Sequence, residues 1–384
     1  METEKDNMSF IKAKKDNATY LTHNFHPYPA KFIPQIPKSI IKEFTNEKDV
    51  VLDPFCGSGT TLIEAKLLNR NAVGVDINPI ATLISKAKTS KISLEQMDKI
   101  RNLLSQIKKD IENYYNHTNI SIGHIIPTFR GIDHWFEKNV IYELAIIKAY
   151  IDTVSDENLK NYLYTAFSAI IVNVSNQESE IRYAAIKKDI KPFQPFIMFS
   201  KKLENMNIRM LEFSKKASDA QVTVFTADAR YMDFLMDNSV DLILTSPPYA
   251  NTYDYYLYHK FRIYWLGYDV KYVQNNEIGS RNRHSSKKED VSSFIDDLSK
   301  CLTEMSRVLK NKKYAVIIIG DSVIRGEFIK MDEVVKEVAA KKNFRFVKEI
   351  NHNLTESSKM FNPKFAKKDK LEHIMYFQNV KDGT

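Results

Sequence analysis

The chain has 384 residues, 43% hydrophobic and 27% charged, a balance that excludes wholesale disorder and belongs to ordinary globular domains. Its 56 Lys and Arg against 48 Asp and Glu give a formal net charge of +8, which suits a polyanionic partner such as nucleic acid, although charge alone fits plain solubility equally well. Two cysteines exclude a disulfide framework, no Cys/His spacing resembles a zinc site, and no apolar run approaches the roughly 18 residues of a membrane span. The expectation is a cytoplasmic protein without a metal, an export signal or an anchor.

In chain order, the polar start leads into a proline-rich arm, HPYPAKFIPQIP (26 to 37). From residue 46 buried strands alternate with helices: NEKDVVLDPF is a short strand ending in a turn, TLIEAKLLNR a helix, and NAVGVDINP a second strand closing on an acidic residue. This is the opening of a βαβ unit with parallel strands. Between about 88 and 220 the rhythm changes to long Lys-rich segments of helical spacing, such as SLEQMDKIRNLLSQIKKDIENYY and NVIYELAIIKAYIDTV, which predict a mostly α-helical insertion.

Strand rhythm then returns in QVTVFTAD and SVDLILTSPPY, followed by a helix near FIDDLSKCLTEMSRVLK and the strand KKYAVIIIGD. After the helix MDEVVKEVAAKK, the segments NFRFVKEI and LEHIMYFQ suit an antiparallel edge hairpin. The parts sum to an α/β fold with a doubly wound, seven-stranded, mostly parallel sheet. Residues 1–87 form an N-terminal arm and the first part of the sheet domain, 88–220 the insertion, and 221–384 the second part.

In DPFCGSGTT (53 to 61), Gly57 and Gly59 lie between a buried strand and a helix, where glycine allows a tight turn and close approach of a ligand to the main chain. The plainer reading is only a strand-to-helix connection. Asp76 ends the next strand, where a carboxylate can take hydrogen bonds from ribose hydroxyls. A third glycine and a Gly-Lys-Ser/Thr sequence are both missing, which disfavours nicotinamide cofactors and phosphate loops and favours an adenosine ligand without phosphates. Asp228 ends the third strand near the same sheet edge and could accept from an adenine amino group, or simply cap a helix.

The strand VDLILT runs straight into Ser246-Pro247-Pro248-Tyr249. Two prolines stop both ladder and helix, leaving carbonyls without sheet partners that can point into a cleft, with an aromatic ring beside them for an extruded base; out of context the same residues are a rigid loop cap. The position, at the carboxyl end of a central strand, is where open α/β sheets place their sites. A base amino nitrogen is a poor nucleophile because its lone pair is delocalised, and acceptors for its hydrogens, here Ser246 Oγ and the Pro247 carbonyl, favour a pyramidal nitrogen.

Together DPFCGSGTT, GVDINP and TSPPY resemble the amino-methyltransferases that modify N4 of cytosine or N6 of adenine in DNA. The resemblance implies a Rossmann-like methyltransferase fold and S-adenosylmethionine as cofactor. It implies cofactor-binding roles for Phe55, Gly57, Gly59 and Asp76, to which Asp53 and Thr60 are added from the glycine motif and Asp228 from its place at the end of the third strand, and catalytic roles for Ser246, Pro247, Pro248 and Tyr249. The arm at 26 to 37 is similar to the family's motif that closes over the methionine end, with Lys31 and Phe32 as candidates, or is a packing arm alone. A first-position Ser is associated in that family with N4-cytosine. Here the glycine motif precedes the tetrapeptide, the reverse of the commonest SPPY order, so the two must converge in space.

For target reading, Arg182, Asn176 and Gln177 in SNQESEIRY are types that contact base edges, or members of a helix-packing network. Tyr253 and Tyr256 could line a base pocket or a buried aromatic helix. Arg281, Arg283, His284, Lys287 and Lys288 in the polar stretch 279 to 290 could meet phosphates or remain solvated. The function expected is site-specific methylation of a flipped-out cytosine at N4 in double-stranded DNA, by a restriction-modification methylase with a cognate restriction endonuclease or by an orphan DNA methylase. The alternatives are adenine N6, guanosine N2 in RNA, or a DNA-binding regulator with a vestigial fold. Methylation at cytosine C5 is excluded, because neither Cys56 in the turn nor Cys301 in a helix is placed as a nucleophile.

Overall fold

The computed structural model describes residues 18–29, 31, 33–117, 123–251, 253–281, 290–324, 326–353 and 370–381. Strands β1 (Val50–Asp53) and β2 (Asn71–Asp76) flank helix α2 (Thr60–Leu67), and α1 (Gln35–Phe44) precedes them. Helix α1 is amphipathic and buries Ile36, Ile40 and Ile41 on one side. Helix α3 (Pro79–Thr89) follows β2, with the Asn78 side chain accepting from the Ile80 N–H and proline at the first helical position.

The helical block then unfolds as α4 (Leu94–Tyr115), α5 (Lys138–Asp152), α6 (Glu157–Val174) and α7 (Gln194–Lys216). Ser93 and Gln96 form a reciprocal capping box that starts α4. Residues of the block such as Ile107, Leu144, Ile147, Phe167 and Phe199 share one core with Phe25 just before the proline-rich arm, Ile63 of α2 and, from later in the chain, Phe261 and Trp265. The block also carries a small hairpin, β3 (Gln177–Ser179) with β4 (Arg182–Ala185).

The sheet resumes with β5 (Val222–Thr226) and β6 (Val240–Thr245), whose six residues are all buried, as a central strand covered on both faces requires. Short helices α8 (Tyr255–Tyr258), α9 (Lys260–Trp265) and α10 (Val270–Asn276) come next, then α11 (Val291–Val308) and β7 (Leu309–Gly320). A hairpin, β8 (Ser322–Ile324) and β9 (Glu327–Ile329), precedes α12 (Met331–Ala340), β10 (Phe344–Asn353) and β11 (Leu371–Asn379).

The main sheet has seven strands in the order β10-β11-β7-β6-β1-β2-β5. The pairs from β7 through to β5 are parallel, and β11 runs antiparallel to both β7 and β10, which is the expected edge hairpin. One face carries α11 and α12 over residues such as Leu302 and Val335, the other α1 and α2 over Ile40 and Leu62. The doubly wound, mostly parallel sheet expected from the strand pattern is therefore present. The chain winds outward from β1 through β2 to β5, then returns to place β6 on the other side of β1. That reversal makes the carboxyl ends of β1 and β6 neighbours and opens a crevice between them. Among the described residues no helix is long and apolar enough to cross a membrane.

Candidate active site

The site begins with one buried carboxylate. Asp53, 1% exposed at the end of β1, accepts hydrogen bonds from the Thr61 hydroxyl (2.7 Å), the Phe55 N–H (3.1 Å) and the Thr245 hydroxyl (2.7 Å). Thr61 stands on α2 and Thr245 directly precedes Ser246. Asp53 thus ties the glycine turn to the catalytic strand rather than lining the crevice. Thr60, the first residue of α2, is likewise buried behind the turn.

The glycine turn is held from behind. Gly59 has φ +81° and a Cβ there would come within 2.8 Å of Ser85 Oγ, so only glycine fits. The Gly57 carbonyl accepts from Ser85 Oγ (2.8 Å) and the Ser58 carbonyl from Lys88 Nζ (3.0 Å), both on α3. The Gly57 N–H donates to Asp76 Oδ2 (2.9 Å) while the Asn78 N–H donates to Oδ1 (2.8 Å), which aims the Asp76 carboxylate along the crevice.

The crevice is a cleft with an open mouth, lined by residues from both sides of the sheet reversal. Pro54, Phe55 and Gly57 form one wall, and Asp76, Ile77 and Asn78 continue it from the end of β2. Asp228 and Ala229 after β5 close one end, and Ser246 and Pro248 face the glycine turn. The remaining wall is Tyr28 from the N-terminal arm with Tyr255, Asn276 and Glu277. The turn and the tetrapeptide thus share one cavity.

The electrostatics favour a cationic guest. Among the described lining residues there is no Lys, Arg or His, but there are three carboxylates. Asp228 is neutralised by Arg230, whose Nε and Nη2 lie 2.9 and 2.6 Å from its two oxygens and whose Nη1 reaches Asp297. Burial pushes the Asp76 carboxyl up to about 6 despite its two N–H donors. Burial likewise pushes Glu277 up to about 8, with Asp254 and Asp76 adding repulsion, although the N–H groups of Tyr255 (2.7 Å) and Tyr256 (2.9 Å) bind it. A positively charged sulfonium carried on an adenosine fits this donor set; a phosphorylated cofactor does not.

In the tetrapeptide, Ser246 and Pro248 reach the cavity, Pro247 is buried, and the Tyr249 phenol donates to Glu372 Oε1 (2.6 Å) on β11. The loop beyond is fastened by the Asn251 N–H on the Gly279 carbonyl (2.9 Å) and Asn251 Nδ2 on the Val323 carbonyl (2.7 Å). Burial pushes the thiols of both Cys56 and Cys301 up, so neither is a ready thiolate nucleophile.

Other candidates fall elsewhere. Lys31 does not line the cavity; its ammonium donates to the His23 carbonyl (3.1 Å), and the arm reaches the cavity through Tyr28 instead. The Tyr28 ring stacks on His259 (centroids 5.0 Å) and Tyr255 (6.2 Å). Phe32, Arg283, His284, Lys287 and Lys288 lie outside the described residues.

Asn176 and Gln177 are spent internally, on the His134 carbonyl and the Lys188 N–H in one case and the Ser179 carbonyl in the other, so the packing reading holds for them. Arg182 is exposed on β4 and pairs with Glu178 (2.9 Å). Tyr253 packs against Tyr255 (5.5 Å), its carbonyl accepts from the Arg281 N–H (3.3 Å), and Tyr256 is buried. Glu277 carried no sequence signal, being a lone residue in a segment without a motif, while Tyr28 lies in the arm at 26 to 37, where Lys31 and Phe32 were the residues expected to meet the cofactor.

A DNA methylase family model, that of the N6 and N4 enzymes, matches residues 5–87 and 240–383. The chain is 26% identical to the Type II methyltransferase M.MvaI of Kocuria varians, covering 88% of this chain and 85% of that one. It is 24% identical to the Type II methyltransferase M.MjaII of Methanocaldococcus jannaschii, covering 82% and 74%. A SAM-dependent methyltransferase structure from Methanosarcina mazei aligns over 93% of this chain and all of that one at 10% identity, but with a TM-score of 0.35 the fold is better read from the strand order itself. The chain belongs to the N6 and N4 DNA methylase family, whose methyl donor is S-adenosylmethionine.

Proposed function

We propose that the protein methylates the exocyclic N4 of cytosine, in a base flipped out of double-stranded DNA. The observation that carries this reading is Ser246 standing across one cavity from the Gly57 turn, at the reversal point of the sheet. The donor supplies an electrophilic methyl group on sulfur when bound. Phe55, Gly57 and Asp76 would hold it, with Asp228 at the far end of the cavity. Ser246 Oγ and the Pro247 carbonyl accept the two hydrogens of the base amino group, drawing its lone pair out of the ring toward the methyl. With Phe55, Gly57 and Asp76 on one side and Ser246 on the other, the methyl group and the amino nitrogen would be held in line. Most of the acceleration is positioning.

A hydroxyl in the first position of the tetrapeptide supports cytosine, and the Type II names of the similar proteins support a restriction-modification role with a partner endonuclease cutting the same site. Arg182, Tyr253, Arg281, Arg283 and Lys287 are proposed DNA contacts, and Lys31 and Phe32 are proposed to close over the donor when it binds. Incubating the protein with DNA and donor, digesting to nucleosides and weighing them is expected to give N4-methylcytosine. N6-methyladenine alone would replace the target, and transfer to RNA but not DNA would replace the substrate class.

A further inference from the structure

Glu277 lines the cavity, outside the residues proposed to hold the donor and the base. It follows α10 and is 4% exposed, and among the described residues its hydrogen bonds come from the N–H groups of Tyr255 and Tyr256 and not from a cation. A buried carboxylate without a cationic partner is costly and normally protonates or awaits one. Asp228 already has Arg230, and Asp76 is the proposed partner of the donor ribose. S-adenosylmethionine and its spent product S-adenosylhomocysteine differ by one methyl group and one positive charge, so an anionic wall separates them.

We propose that Glu277 is a cofactor-binding residue whose carboxylate is the counter-charge to the donor sulfonium, making the cavity prefer S-adenosylmethionine over S-adenosylhomocysteine. The groups that face Glu277 agree with this. The carboxylates facing it are Asp76 from β2 and Asp254 before α8, and the phenols of Tyr28, Tyr255 and Tyr258, which burial keeps neutral, complete its surroundings without adding a cation. Arg230 touches the neighbouring Asn276 carbonyl, but its guanidinium is committed to Asp228 and Asp297. In the empty cavity burial keeps Glu277 largely protonated near neutral pH, and an arriving cation makes it ionise.

The proposal rests on this cavity being the cofactor site, and calorimetric titration of both ligands at pH 7.5, in phosphate and in Tris, tests the two separately. Wild-type protein is expected to release a proton on binding S-adenosylmethionine and none on binding S-adenosylhomocysteine. E277Q, which keeps an oxygen for the two N–H groups, is expected to abolish that release and weaken the donor about tenfold, or about 1.4 kcal/mol, while changing the product less than threefold. Equal weakening of both ligands, or of neither, overturns the proposal. So does a wild-type protein that shows no difference in proton release, a readout that stands even if E277Q does not fold. D76A addresses the cavity itself: loss of both ligands supports it as the cofactor site, and unchanged affinity for both removes the site and the role of Glu277 with it.

Discussion

Asp53 shows how a residue can belong to a binding motif without touching the ligand. Its carboxylate takes three hydrogen bonds, two of them from hydroxyls on opposite sides of the crevice. D53A leaves Thr61 and Thr245 without their buried acceptor and is expected to cost about 2–4 kcal/mol, read as a lower midpoint in thermal or urea unfolding. S246A removes an acceptor used in the transition state; kcat is expected to fall about 100- to 1000-fold with donor affinity within a factor of two, measured by single-turnover transfer and calorimetry. G59A combines a left-handed backbone with a clash on Ser85 and is expected to abolish donor binding even where the protein still folds.

The pH dependence at this scale has a definite sign. Glu277 is raised in the folded state from an ordinary value near 4 to about 8, so its contribution to stability is fully present below about pH 4 and is lost as pH rises through about 8. Ligand-free E277Q should therefore gain on wild type as pH climbs from 5 to 9, in paired melting curves. A constant difference across that range would contradict the burial of an ionisable group there. Asp53 and Asp76, raised to about 6, lose their contributions earlier, between about pH 4 and 6.

Elements were legible in the sequence to the extent that their residues carried local demands. The β1 and β2 strands, the glycine turn and the end of β6 could be read because buried parallel strands are continuous apolar runs and because positive φ and paired prolines restrict residue type. The β3–β4 and β8–β9 hairpins were not legible: their strands have three or four residues, too few for alternation to register. Nor was the use of Asn176 and Gln177, because an amide that reads a base and one that pins a loop look the same before the fold is known. Tyr28 and Glu277 enter the site from segments far apart in the chain, which no spacing rule connects.

The β3–β4 hairpin is joined to the catalytic half through Arg262 on α9. Its Nη2 lies 2.7 Å from both Glu180 oxygens, and its Nε donates to the Ser168 carbonyl (2.9 Å) from a fully buried position. R262A is expected to destabilise by about 2–4 kcal/mol, with hydrogen exchange rising first at 177 to 185. If Arg182 on that hairpin meets DNA, the same variant weakens DNA binding while leaving donor affinity unchanged.

At the level of the molecule, the reversed motif order is absorbed by the sheet. Because β6 returns to the side of β1 opposite β2, residues early and late in the chain end at one crevice, and order along the sequence has no bearing on which side chains meet. The net charge of +8 suits a long polyanion, and binding to duplex DNA is expected to weaken steeply between 50 and 200 mM salt, measured by fluorescence anisotropy. All of this depends on the cavity between Gly57 and Ser246 holding the methyl donor. A crystal structure with S-adenosylhomocysteine settles that: the account predicts the ligand between the Phe55–Gly57 turn and the Ser246–Pro248 loop with its ribose on Asp76, and a ligand bound anywhere else would contradict it.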